Sequence, residues 1–437
     1  MKNKKLLVLL LFCVFIYLFI FSSVSFADNE DLTPYSTHCI LIEASTGKVL
    51  YEKDAYSMTY PASTTKIMTA ILALENCSLT DVATVSHNAI YSVPIGYSHA
   101  YLVEGEELTI NQLLHILLIP SANDAAIVLA EHIAGSVQSF ATMMNTKALE
   151  IGCRNTNFVN PNGIHNQNHY STAYDLALIG RYAMKNEVFR KIVTKSTYTL
   201  PATNKYATSD RFFKQTNSLV VPNSSDNVGN YYYKYATGIK TGYTEAAGDC
   251  VVASAQKDGI QYIVVILGGQ RTENGLDGRF IDCKNLFNYA FENYTTYKVN
   301  DANSFLKELK VSKANLFAPN LSIDVQDEIT LVLEKDTNIS SITPTINISS
   351  DLKTPIKKNS IVGTISYTVD GNTYTSNLIA GNDVEEFNLF TSILTIISVI
   401  LIFVLISTLL KIGKKKNKKK KKKGSTKSKE HDSYLYW

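Results

Sequence analysis

The stretch Pro61-Ala62-Ser63-Thr64-Thr65-Lys66-Ile67-Met68-Thr69-Ala70-Ile71-Leu72-Ala73-Leu74 decides how the rest of the chain is read. Apolar residues recur at three and four from Ile67 to Leu74, the period of a helix with one buried face. Ser63 opens that helix, and Lys66 follows three residues later. A serine and a lysine three apart share a face on a helix and point to opposite faces on a strand. Taken alone, Ser63 is equally well read as a plain N-cap.

Outward from this helix the pattern is mixed. Residues 38–53 alternate like strands around a turn at Thr46-Gly47. Residues 109–119 and 124–134 read as two helices joined at Pro120-Ser121-Ala122-Asn123, and Asp175 to Met184 as another. Residues 248–257 and 260–267 are short β-rich runs separated by Asp258-Gly259, a hairpin signal, and Leu286 to Phe291 turns helical again. Strands at both ends and helices between them predict an α/β domain: an antiparallel sheet with an inserted helical lobe. After about Asn300 the composition shifts to Thr, Ile, Val, Ser and Asn. Glu328 to Leu333 and Ile361 to Val369 read as strands, with a second turn at Asp370-Gly371. Residues 300–383 are expected to form a small all-β domain.

Both ends of the chain carry membrane signals. Lys2, Lys4 and Lys5 precede the apolar run Leu6 to Phe21, and Ser25-Phe26-Ala27 offers a cleavage site before Asp28. Residues 1–27 read as an export signal, which leaves residues 28–299 as the first folded domain. Leu389 to Leu410 is 22 residues without a charge, enough for a transmembrane helix. Ten lysines between Lys411 and Lys423 follow at once and place residues 411–437 in the cytoplasm, so the folded part lies outside. The whole chain carries +3, but the signal and the lysine tail account for all of it and more; the exported remainder is acidic. A nucleic-acid surface is therefore not expected, and the bilayer is.

The six cysteines, Cys13, Cys39, Cys77, Cys153, Cys250 and Cys283, are widely spaced and read as small buried residues, not as a disulfide framework or a metal site. His165 and His169 have a spacing that could serve zinc on a helix, but they sit in a Pro-Asn-Gly loop without a HExxH pattern. No metal and no cofactor is expected.

Three short motifs carry the chemistry: Ser63-Thr64-Thr65-Lys66, Ser121-Ala122-Asn123 and Lys240-Thr241-Gly242. Each has decoys. S-x-x-K recurs at Ser45 in a hairpin, Ser254 in a strand, Ser350 in a polar loop, and Ser304, where a helix is possible. Ser225-Asp226-Asn227 matches the S-D-N form literally but lies in a turn-rich loop only thirteen residues before Lys240. Ser121 sits on a helix junction between the other two motifs and is preferred. Lys240-Thr241-Gly242 occurs once; its glycines are wrongly spaced for a phosphate loop.

S-x-x-K, S-D-N and K-T-G together are a signature of penicillin-binding proteins and class A β-lactamases. With Pro61 to Lys66, Ser121 to Ala126, Asn160-Pro161-Asn162-Gly163, Thr172 to Leu176 and Gly238 to Ala255, the chain resembles the low-molecular-mass penicillin-binding D-alanyl-D-alanine carboxypeptidases. The resemblance runs from about residue 35 to 295 and continues weakly to 383.

That resemblance implies a β-lactamase/transpeptidase-like fold and removal of the terminal D-alanine from peptidoglycan stem peptides, with β-lactams as covalent inhibitors. It implies Ser63 as nucleophile, Lys66 as its base and Ser121 as proton relay. Asn123, Lys240, Thr241, Gly242, Tyr243 and, behind an extra Gln270, Arg271 would bind substrate. The backbone N–H groups of Ser63 and Tyr243 would form the oxyanion hole. No Glu-x-x-Leu-Asn stretch lies between Ser121 and Lys240, so rapid penicillin hydrolysis is not expected. Rival readings are an endopeptidase, transpeptidase or weak β-lactamase on the same residues, a membrane-tied sensor that acylates without turnover, and a wall scaffold.

Overall fold

The computed structural model describes residues 31–427, apart from 209, 223–229 and 316, and describes no side chains beyond residue 415. The export signal, the Ser225-Asp226-Asn227 decoy and the end of the lysine tail lie outside the described residues.

The chain divides into two units between Thr295 and Thr296, a few residues before the boundary that composition suggests. The first is built on a five-stranded antiparallel sheet. Its strands are β1 (His38–Glu43), β2 (Val49–Lys53), β3 (Ala236–Thr244), β4 (Gly248–Lys257) and β5 (Ile260–Gly269), in the spatial order β2-β1-β5-β4-β3. The Asp258-Gly259 turn closes the β4–β5 hairpin, where Lys257 pairs with Ile260.

The run Tyr262-Ile263-Val264-Val265-Ile266-Leu267 in β5 is apolar at every position because both its faces are buried. Helix α5 (Ala173–Ala183) packs on one face and α6 (Gly278–Asn293) on the other. The helical lobe between β2 and β3 contains α1 (Lys66–Asn76), α2 (Ile110–Leu118), α3 (Asn123–Ala134) and α4 (Val137–Ile151). Helix α2 starts where Thr109 and Gln112 form a capping box, and α3 ends at Gly135 in the left-handed conformation. Residues Ile67, Met68, Ile71, Leu113, Leu117, Ile127 and Leu129 of this lobe share one core with Ile263 and Val265 of the sheet.

Two details depart from the sequence reading. Ser63 lies in a 3-10 turn, Ala62–Thr65, and α1 proper starts at Lys66. The S-x-x-K at Ser304 opens a strand, not a helix. The turn at Ser63 is tight because the Thr64 hydroxyl and amide both bond to the Pro61 carbonyl.

The second unit holds another five-stranded antiparallel sheet. In chain order the unit's strands are β6 (Ser304–Lys310), β7 (Asn320–Val325), β8 (Ile329–Glu334), β9 (Thr345–Ile348), β10 (Ile361–Val369) and β11 (Asn372–Ala380); β8 lies outside the sheet and pairs with the strand Tyr294–Asn300. The sheet order is β6-β7-β11-β10-β9. Its separate core includes Leu321, Ile323, Leu331, Ile365 and Leu378. An α/β unit with an inserted helical lobe, followed by a small β-rich unit, is the architecture that the sequence predicts. Helix α7 (Leu389–Lys427) ends the unit. Its segment Leu389–Lys415, which contains an 18-residue stretch of mean hydropathy 3.0 with nothing buried, is the one helix among the described residues that is long and apolar enough to cross a membrane.

Candidate active site

The 3-10 turn brings Ser63 and Lys66 side by side, because residues three apart eclipse one another at three residues per turn. Lys66 Nζ lies 2.9 Å from Ser63 Oγ, 2.8 Å from Asn123 Oδ1 and 2.7 Å from the Asn162 carbonyl. Asn123 Nδ2 donates to the Ser98 carbonyl at 2.7 Å, which fixes the amide so that its oxygen faces the lysine.

Both Asn123 Oδ1 and Asn162 O can only accept, so each takes an N–H from Lys66. The Ser63 hydroxyl accepts the third N–H of an ammonium and can instead donate to the lone pair of a neutral amine. Burial removes Lys66 completely from solvent and pushes its pKa well below the ordinary lysine value, with the neighbouring Lys240 charge acting in the same direction. The three oxygen partners fit either form, and burial is what favours the neutral amine.

Ser121 sits at the α2–α3 junction with φ +68°, in a backbone region that L side chains seldom adopt. Ala122, not Ser121, is the N-cap of α3, and no side chain caps that end. Ser121 is freed from capping and lines the same cleft as Ser63. Asp124 holds the approach to this junction: its carboxylate accepts the backbone N–H groups of Ala100 and Leu102.

Lys240, Thr241, Gly242 and Tyr243 lie on β3, the edge strand of the sheet. Lys240 is fully buried, and its Nζ donates to the Thr241 carbonyl at 2.9 Å. Desolvation, with the Arg279 guanidinium nearby, lowers its pKa to about 7. Thr241 Oγ1 donates to Thr216 Oγ1 at 2.7 Å. Tyr243 is exposed on the cleft wall.

Two glycines let these parts approach. A Cβ on Gly242 would stand 2.8 Å from the Ser63 amide nitrogen, so β3 touches the nucleophile turn only because no side chain intervenes. A Cβ on Gly163, which has φ +82°, would stand 1.9 Å from the Ala62 carbonyl oxygen. The Asn160–Gly163 loop therefore lies directly on the same turn and delivers the Asn162 carbonyl to Lys66.

His169 ties that loop down. Its Nδ1 accepts from the Val159 amide at 3.1 Å, so Nε2 carries the proton and donates to Thr65 Oγ1 at 2.8 Å. Burial, the first cause, lowers its pKa to about 3 and keeps it neutral. Both nitrogens are thus engaged with protein, and His165 packs edge-on to the Tyr60 ring at 4.5 Å. Among the described residues no group of three or more His, Cys, Asp or Glu side chains could hold a metal ion.

The cleft has a volume of about 740 Å³ and takes in Ser63, Ser121, Asn123, Thr216, Thr241 to Ala246 and Arg279, with the loop Ile95–Ser98 at its mouth. Arg271 is not on its wall. Its guanidinium is 57% exposed and pairs with Asp249 at 3.3 Å and Asp277 at 3.5 Å. Arg279 takes the place on the cleft instead, buried, with Nη1 donating to the Gly242 and Cys250 carbonyls at 2.9 and 3.1 Å. Sequence reading missed Arg279, Thr216, Ser98 and His169. Asn162 and Gly163 stood in a quoted motif but had no role assigned.

Fold and cleft define the penicillin-binding class of protein, and the comparisons agree. A family model described as D-alanyl-D-alanine carboxypeptidase matches residues 26–271, and one for the penicillin-binding protein 5 C-terminal domain matches residues 291–386. The chain belongs to the D-alanyl-D-alanine carboxypeptidase family. It is 30% identical over 389 residues to the Bacillus subtilis D-alanyl-D-alanine carboxypeptidase DacF, covering 87% of this chain and 94% of that one. It is 28% identical over 376 residues to DacA of Escherichia coli strain K12, covering 82% and 86%. The solved structure of penicillin binding protein 5 from Haemophilus influenzae superposes with TM-score 0.68 at 27% identity, covering 80% of this chain and 98% of that one.

Proposed function

We propose that this protein is a membrane-tied serine D-alanyl-D-alanine carboxypeptidase that trims the terminal D-alanine from peptidoglycan stem peptides through an acyl-enzyme on Ser63. The observation that carries the reading is the buried Lys66 Nζ held 2.9 Å from Ser63 Oγ, where burial lowers its pKa and favours the neutral amine. Lys66 takes the hydroxyl proton as Ser63 Oγ attacks the carbonyl carbon between the two D-alanines. The backbone N–H groups of Ser63 and Tyr243 stabilise the oxyanion, and the contact between Gly242 and the Ser63 amide supports that pairing. Ser121 passes the proton to the departing amine, the C–N bond breaks, and D-alanine leaves. Water then attacks the ester, with Lys66 again taking a proton, and frees Ser63. Asn123 holds the substrate amide, while Lys240 and Thr241 meet the terminal carboxylate; Arg271 would reach that carboxylate only by leaving Asp249 and Asp277. β-Lactams enter the same route and stall at the ester.

Residues 1–27 are read as a cleaved export signal. Helix α7 is read as a span with the lysines in the cytoplasm and both folded units outside.

The test is D-alanine release from a soluble peptide ending in D-Ala-D-Ala, with Ser63→Ala beside the wild type. Release by the wild type alone is expected. Stable penicillin labelling at Ser63 without release would point to a sensor, or to an enzyme of cross-linked substrate. Equal release by Ser63→Ala would overturn the scheme.

A further inference from the structure

The second unit has a cleft of its own, about 540 Å³, with Lys310, Lys313, Pro319, Glu386 and Phe387 among its walls. Backbone hydrogen bonds fix its place. The Phe387 amide donates to the Lys313 carbonyl at 2.8 Å, and the Asn315 amide to the Glu385 carbonyl at 2.9 Å. Ala314 and Glu386 form a β-bridge. Helix α7 starts two residues beyond Phe387, where Asn388 Oδ1 accepts the amides of Phe390 and Thr391 at 2.9 and 3.2 Å. Two extended residues reach about 7 Å. The Lys310–Pro319 segment is therefore bound to the last residues before the apolar helix, and whatever surface that helix enters, the segment meets as well.

Its side chains suit that surface. Phe317 is 52% exposed and Phe387 41%, beside Leu389 and Phe390 at 65% and 71%. Lys310 and Lys313 are exposed, and neither makes an ion pair among the described residues. Of the nearby acids, Glu385 is already paired with Lys357 at 3.0 Å, which leaves Glu386 facing two lysines. Unpaired lysines beside exposed phenylalanines, on an otherwise acidic exported chain, fit an anionic layer with an apolar layer beneath it.

We propose that this cleft is a headgroup site for an anionic phospholipid in the outer leaflet. Lys310 and Lys313 take the phosphate, and Phe317 and Phe387 enter the glycerol and upper acyl region. The site holds the β-rich unit against the bilayer and limits its swivel about Asn388. The inference rests on the reading of α7 as a span.

The test uses the full chain in nanodiscs of phosphatidylcholine alone or mixed with phosphatidylglycerol, each with brominated acyl chains as quencher. Trp437→Phe removes the native indole. Phe317→Trp probes the segment that carries Lys310 and Lys313, and in a separate protein Leu401→Trp probes the middle of the span. Both tryptophans should be quenched, that at 317 more strongly in the anionic discs. Lys310→Gln with Lys313→Gln should remove the anionic preference, each lysine being worth about fivefold in affinity. If Leu401→Trp is not quenched, the spanning reading and this proposal fall together. Quenching at 401 with a solvent-like, unquenched tryptophan at 317 overturns the headgroup site alone. So does equal quenching in the two lipids, or an identical response in the glutamine variant. If inorganic phosphate in neutral discs reproduces the anionic response, the cleft is a free-anion pocket and the lipid reading is overturned.

Discussion

Lys240 is a buried amine with a single hydrogen bond to a backbone carbonyl and a pKa lowered to about 7. The unfolded chain binds its proton up to about pH 10.4, the ordinary lysine value. Between those limits the unfolded state holds more protons than the folded one, so folding stability rises with pH. The cost of burying Lys240 is therefore largest below about pH 7 and gone above about pH 10.4. Lys240→Met removes that cost but also the positive charge that meets the substrate carboxylate. Calorimetry should show a gain in Tm of several degrees at pH 6 and little or none at pH 10, together with loss of D-alanine release. A gain independent of pH would mean that burial does not lower the Lys240 pKa. Catalytic and structural optima conflict here: two buried amines in one site are costly for folding and useful for chemistry.

At the scale of elements, three separate pieces of backbone converge on the Ala62–Thr65 turn: the start of α1, the edge strand β3 and the Asn160–Gly163 loop. The loop is held by the His169–Thr65 hydrogen bond and by the close contact of Gly163 with Ala62. Gly163→Ala puts a methyl where a carbonyl oxygen stands and strains a φ of +82°. The loop must lift, and Lys66 then loses the Asn162 carbonyl. We expect a loss of at least about 2 kcal/mol of stability, seen in urea unfolding, and a fall in kcat greater than the rise in KM, because the base is displaced more than the substrate-binding strand. Native-like kcat in this variant would show that the loop carbonyl does not orient Lys66. Gly259→Ala, at φ +84° in the β4–β5 turn and off the cleft wall, supplies a comparison in which stability falls and kcat holds.

For the whole molecule, two units with separate cores are followed by one apolar helix. Chemistry confined to the first unit and attachment confined to the end of the second make the functions separable. A chain ending at Asn388 should leave the membrane fraction and keep the kcat/KM of the full chain on a short soluble peptide. Fractionation and D-alanine release measure the two. Persistent membrane association would mean that the Lys310–Lys313 cleft or another segment holds the bilayer without the helix, and a loss of activity in the soluble chain would show that the helix supports the catalytic fold.

The sequence alone was enough for whatever depends on short-range periodicity. Apolar spacing marked α1, α2, α3 and α5, the Asp258-Gly259 turn marked the β4–β5 hairpin, and an uncharged run of 22 residues marked the apolar helix at Leu389. It also selected Ser63 among five S-x-x-K occurrences, since strand, loop and hairpin settings separate a serine from its lysine. The sequence reading erred where local pattern is silent. It read a helix at Ser63 where a 3-10 turn stands, because two kinds of turn share the same three-residue spacing. Tertiary structure alone brought Asn123 and Asn162, which lie 57 and 96 residues from Lys66, onto one amine. It alone set Arg279 on the cleft and left Arg271 with its two aspartates, eight residues apart in a stretch where no period distinguishes them. Hydrogen bonds that close such long loops are chosen by packing of the whole core, and no window of sequence contains them.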